Sequence, residues 1–134
     1  MMAWVHASVG AAIGRFTDNA PIAFGLGVVS HMLCDLLPHR DLTPREEAPL
    51  LGVAMTAIAA RNGILSPEVA GAVGAVVPDV ENAASMFGVI PASAMRFPSH
   101  QGEHSHGPKM RTVETQIFLA GICLAFALAP RRDR

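Results

Sequence analysis

Histidine and aspartate recur at four-residue intervals in the stretch SHMLCDLLPHRD, residues 30–41, as His31, Asp35 and His39, with Asp41 two places further on. On a helix, residues four apart project from one face about one turn apart. His31 and Asp35 therefore have the geometry of a chelating pair on one rigid element. The segment around them is apolar, and an ionised group in such surroundings is costly unless it is paired or coordinates a metal. The pattern predicts a metal site. His39 and Asp41 follow Pro38 and can fold back over the same ion or support its ligands.

The same ligand types stand elsewhere in the chain. His6 lies in an apolar opening segment, and Asp79 and Glu81 follow a proline in the run GAVGAVVPDVE, residues 71–81. A third cluster, FPSHQGEHSHG, residues 97–107, offers His100, His104 and His106, of which His100 and His104 are the better candidates. Imidazole and carboxylate without thiolate suit zinc, manganese or iron rather than a Cys-type structural zinc site. The expected ligands are His6, His31, Asp35, His39, Asp79, His100 and His104, with Glu81 as general base. Plainer roles compete: a helix-end His31 capping carbonyls, Asp79 in an N-cap or Asx-turn, the late histidines as solvated surface.

Helices must position these groups. There is no tyrosine and no sustained alternation of the kind strands require. Helix punctuation is plentiful. The opening segment predicts a helix over residues 3–13, and a second opens near Pro21 and runs towards Leu37, before the break at Pro38. Thr43, Pro44 and Glu46 make an N-cap, a first-turn proline and a capping box, and Gly63 follows as a left-handed C-cap. Ser66-Pro67-Glu68 starts a fourth helix, expected to stop at Pro78, whose Gly71, Ala72, Gly74 and Ala75 allow close backbone approach. Residues 86–110 form the longest candidate loop, and a last helix ends before Pro130. The fold class is all-α: one domain over residues 1–134, a compact bundle of about five helices with the polar loops at one end.

Composition sets the surroundings. Hydrophobic residues make up 51% and charged residues 16% of the 134, against roughly 25% charged in ordinary soluble domains. A net charge of −1 leaves no basic footprint for nucleic acid. Cys34 and Cys123 read as small buried hydrophobes, not as a disulfide framework. Residues 20–37 and 117–129 are the windows closest to a membrane span, which needs about 20 apolar residues. Ionisable residues inside such a window point to function. Membrane embedding and a soluble, very apolar helical domain are the two readings. Nucleotide and serine-hydrolase motifs are absent: there is no P-loop, GxGxxG or GxSxG.

The order His6, then SHMLCDLLPHRD, then GAVVPDVE, then FPSHQGEHSHG before a final apolar helix resembles a group of small bacterial membrane proteins. These are distantly similar to inner-membrane metal-dependent hydrolases and to the zinc-dependent phospholipase C type. The resemblance covers most of the chain, and its strongest element is residues 30–41. It implies His6, His31, Asp35 and Asp79 as metal ligands, with Glu81 standing where aspartate is more usual. It also implies a location in the bacterial inner membrane, with the soluble cytoplasmic form as the alternative. The expectation is a zinc-dependent hydrolase of a small phosphoester, in contact with lipid or a membrane surface. The alternative is a non-catalytic protein whose ion staples glycine-rich helices together.

Overall fold

The structure, a computed structural model, describes residues 1–97 and 107–130. Five helices carry it: α1 (Ala3–Gly14), α2 (Ala20–Asp35), α3 (Pro44–Asn62), α4 (Pro67–Met86) and α5 (Glu114–Leu128). A short 3-10 turn, Ala92–Ala94, lies between α4 and α5. Among the described residues there is no β-strand, only a one-residue parallel bridge between His39 and Lys109. The chain is all-α.

Local chemistry sets most boundaries. Asn19 caps α2 by accepting the Ile22 amide at 3.0 Å, and Ser66 caps α4 by accepting that of Val69 at 3.2 Å. At the start of α3 the Glu46 carboxylate accepts from both the Thr43 amide and the Thr43 hydroxyl. Gly63 ends α3 with a φ of 89°, a conformation that costs glycine no Cβ clash.

One boundary corrects the sequence reading. Pro78 does not stop α4, which runs on to Met86. Proline removes one intrahelical hydrogen bond and its ring crowds the preceding turn. Here Pro78 is buried within the packed bundle, and tertiary packing sustains the helix through it. Asp79 consequently sits on a helix rather than in a turn.

α1 is the central helix and touches all four others. It carries no charged residue and is buried on nearly every side, as expected of a helix apolar all round. Glycines set the close approach of α1 and α2 to α4. A Cβ at Gly10 would collide with the Gly71 backbone, and one at Gly74 with that of Phe24. Alanine predominates in the core: Ala7, Ala11, Ala72 and Ala127 pack with Ile58, Val69 and Val76 in one cluster, and Ala120 with Met1, Met2 and Val5 in another.

The helices alternate in direction, so the N-termini of α1, α3 and α5 share one end with the C-termini of α2 and α4. Gln116 fastens that end by donating to the Arg40 carbonyl at 3.1 Å and accepting from the Met2 amide at 3.4 Å. No helix among the described residues is long and apolar enough to cross a membrane. The two windows expected as spans form helices of only 16 and 15 residues.

Candidate metal centre

α1, α2 and α4 bring His6, His31, Asp35 and Asp79 together. His6 and His31 are fully buried and stacked, with ring centroids 4.0 Å apart and planes inclined by 27°. Both present Nε2 to the same carboxylate: His6 at 3.0 Å from Asp35 Oδ1 and His31 at 3.1 Å from Asp35 Oδ2. Asp35 is itself fully buried and also accepts from the Met1 amino group at 2.7 Å. The i, i+4 spacing of His31 and Asp35 thus places them in mutual contact.

The other edge of His31 faces α4. Its Nδ1 lies 2.8 Å from the Ala75 carbonyl and 3.9 Å from Asp79 Oδ2. His6 Nδ1 is buried and has no hydrogen-bond partner among the described residues. One ligating atom from each of His6, His31 and Asp79 lies within 4.8 Å of the other two. Zinc holds nitrogen and oxygen ligands tetrahedrally at about 2.0–2.1 Å, so two ligands of one ion stand about 3.3–3.4 Å apart. Binding would draw the three atoms together by up to about 1.4 Å. Asp35 takes the position of a carboxylate that orients both imidazoles, the usual arrangement behind a metal-ligating histidine.

The charges follow from this geometry. Burial raises the cost of ionising Asp35, but its contacts with His31 and His6 outweigh that and hold its pKa far below the ordinary carboxylate range. Burial also opposes charge on His31, yet the bond to Asp35 and the nearby Asp79 prevail, and its pKa rises. For His6 burial dominates, reinforced by the charge of His31, and its pKa falls. Two stacked cations would repel, so a proton on one imidazole disfavours a proton on the other. An incoming cation competes with protons for these imidazoles, and the lowered pKa of His6 favours the neutral form a metal ligand requires.

A cleft of about 430 Å³ opens beside this cluster. Its walls include Asp41, Glu47 and Asp79 among apolar neighbours such as Leu42, Leu51 and Met86. Glu47 is the member that the sequence reading missed. Its carboxylate accepts the Ala3 amide at 2.9 Å and the Leu42 amide at 3.2 Å, clamping the start of α1 to the segment after Asp41. Burial, together with the charge of Asp79, pushes its carboxyl up. The available cue was its surplus: Glu46 completes the capping box, and the adjacent Glu47 had no such task.

The remaining candidates are placed differently. His39 is buried at the edge of the cluster, its Nδ1 2.7 Å from the Leu37 carbonyl and its Nε2 3.4 Å from Asp41 Oδ1. Asp41 in turn reaches the Met1 amino group at 3.2 Å. Glu81, expected as general base, accepts the amides of Arg96 and Phe97 at 2.8 and 2.9 Å. It anchors that loop, and the cleft wall contains Asp79, Val80 and Asn82 but not Glu81. His100, His104 and His106 lie outside the described residues. In comparisons with known proteins, no family model, curated protein or solved structure matches the chain.

Proposed function

We propose that the chain is a metal-dependent hydrolase whose ion is held by His6, His31 and Asp79, with zinc the best-suited metal and a phosphoester the substrate. The observation that carries this is the double membership of Asp79. It belongs both to the buried ligand group and to the wall of the open cleft. A catalytic metal needs a position that substrate or water can reach, whereas a structural one is closed by protein ligands. When bound, a divalent ion supplies Lewis-acid polarisation of an ester oxygen and lowers the pKa of water towards 7.

The chain's own residues have separable tasks in this reading. Asp35 fixes the orientation of both imidazoles. Glu47, across the cleft, is the group suited to hold and return a proton, because burial and the nearby Asp79 raise its pKa above the ordinary carboxylate value. Asp41 and His39 tie the cleft rim to the buried cluster. The competing reading is an ion that only staples α1, α2 and α4, and the complete burial of both histidines supports it.

Hydrolysis of a chromogenic phosphodiester by zinc-loaded protein separates the two. The hydrolase reading expects turnover that Glu47→Gln lowers by about 10²-fold or more, the usual worth of a general acid or base, with zinc content unchanged. Full zinc occupancy without turnover of phosphomonoesters, phosphodiesters or carboxylic esters would leave the staple.

A further inference from the structure

Three carboxylates line the cleft beside the buried cluster, those of Asp41, Glu47 and Asp79, among apolar side chains such as Leu42, Leu51 and Met86. No lysine or arginine belongs to its wall among the described residues. Ionised carboxylates only accept hydrogen bonds. The Met1 amino group can donate, but Asp35 and Asp41 engage it at 2.7 and 3.2 Å. Asn82 is then the one side chain of the wall, among the described residues, that donates whatever its neighbours' protonation.

Nothing within the fold accounts for Asn82. It is half-buried inside α4, before that helix ends at Met86. Its side chain makes no hydrogen bond to any described residue. Asparagine ranks low in helix propensity, so an unbonded one in a helix weakens it without structural return. The placement of Asn82 follows from the run of α4 through Pro78. It stands three residues after Asp79 on one continuous helix, and residues at that spacing are neighbours with Cβ atoms about 5–6 Å apart. The amide therefore borders the one member of the ligand group that also lines the cleft.

We propose that Asn82 is a substrate-binding residue, whose Nδ2–H donates to a non-ester oxygen of the phosphoester. The proposal rests on the hydrolase reading above and gives that site a second point of attachment. A phosphoester is an anion, and its oxygens need donors or cations wherever they leave water. A wall of carboxylates repels such an oxygen everywhere except at the metal position and beside Asn82. Two fixed points orient the phosphorus centre where a single one would let it turn, and orientation is a large part of rate. A donor already in place also favours negative charge that grows on the oxygen it holds.

The test pairs binding with turnover in zinc-loaded wild type, Asn82→Ala and Asn82→Asp. Binding is read by phosphorus NMR titration with diethyl phosphate. Asn82→Ala should weaken it about tenfold, the worth of one hydrogen bond to a charged group. Asn82→Asp is nearly isosteric but adds a fourth carboxylate, and it should weaken binding further. Turnover of the chromogenic phosphodiester should fall about 10²-fold in kcat/KM for Asn82→Ala. Zinc content and urea stability should match wild type in both variants, because the side chain has no bond within the fold to lose. Diethyl phosphate binding and turnover that Asn82→Ala leaves unchanged would overturn the role of Asn82 alone, as would binding by Asn82→Asp equal to that of wild type. A zinc-loaded wild type that neither binds diethyl phosphate nor turns over the diester would overturn the hydrolase reading and this role with it.

Discussion

Both ends of the bundle gather polar side chains, and they use them for different work. At the end where α5 stops, Arg15 donates to the carbonyls of Ala127, Ala129 and Pro130. Arg61 donates to Leu128 and Asn62 to Ala127. Each donor meets a carbonyl in or just past the last turn of a helix, where no intrahelical partner exists. At the opposite end His6, His31 and Asp35 are fully buried and bonded chiefly to one another. Capping is not their task. The Leu33 and Cys34 carbonyls of α2 already accept the Leu36 and Leu37 amides, and the Asp35 carbonyl accepts that of Gly107 at 2.7 Å. The hydrogen bonds of the first end are those that helix termination calls for; the second gathers two buried histidines and a buried aspartate that termination does not require.

Substitutions should separate the two ends by size and by kind. The largest effect is expected at Asp35. Asp35→Asn removes the carboxylate charge shared by the buried Met1 amino group, His6 and His31, and breaking a buried pair costs about 3–5 kcal/mol, read by urea denaturation.

His31→Gln should destabilise by less, and its effect should depend on pH. The folded pKa of His31 lies above its ordinary 6.5, so its contribution is complete below pH 6.5 and fades as the pH rises through the folded value. In the metal-free chain the stability gap between wild type and His31→Gln should therefore narrow in mildly alkaline buffer. A gap that widens there would contradict a raised His31 pKa.

Arg15→Ala, at the other end, should cost about 1 kcal/mol, the scale of exposed helix-end hydrogen bonds, and leave zinc affinity unchanged. Glu81→Gln should cost about 0.5 kcal/mol, since an amide oxygen can still accept one of its two amides. It should leave zinc binding intact, because Glu81 serves the loop.

Much of this was legible in the sequence, for physical reasons that differ by element. Asn19, Thr43-Pro44, Gly63 and Ser66-Pro67 act within a few residues, so the helix starts and the end of α3 can be read locally. The run through Pro78 cannot, because the packing that sustains α4 comes from α1 and α2. The pairing of His31 with Asp35 follows from helical spacing alone. The approach of His6 and Asp79 to that pair depends on glycine contacts between three helices. Glu47 stayed hidden because a second glutamate in a first helical turn looks like an ordinary response to the helix dipole. The inward side of α2 was equally unreadable, since a helix apolar on both sides does not announce which side packs.

Zinc titration of metal-free protein by calorimetry, with His6→Ala and Asp79→Asn beside Arg15→Ala, asks whether the buried cluster holds an ion. One ion per chain is expected for wild type and Arg15→Ala, with binding lost in both site variants while they remain folded. Absence of zinc, manganese and iron binding by the folded wild type would contradict it, as would binding that survives both site substitutions.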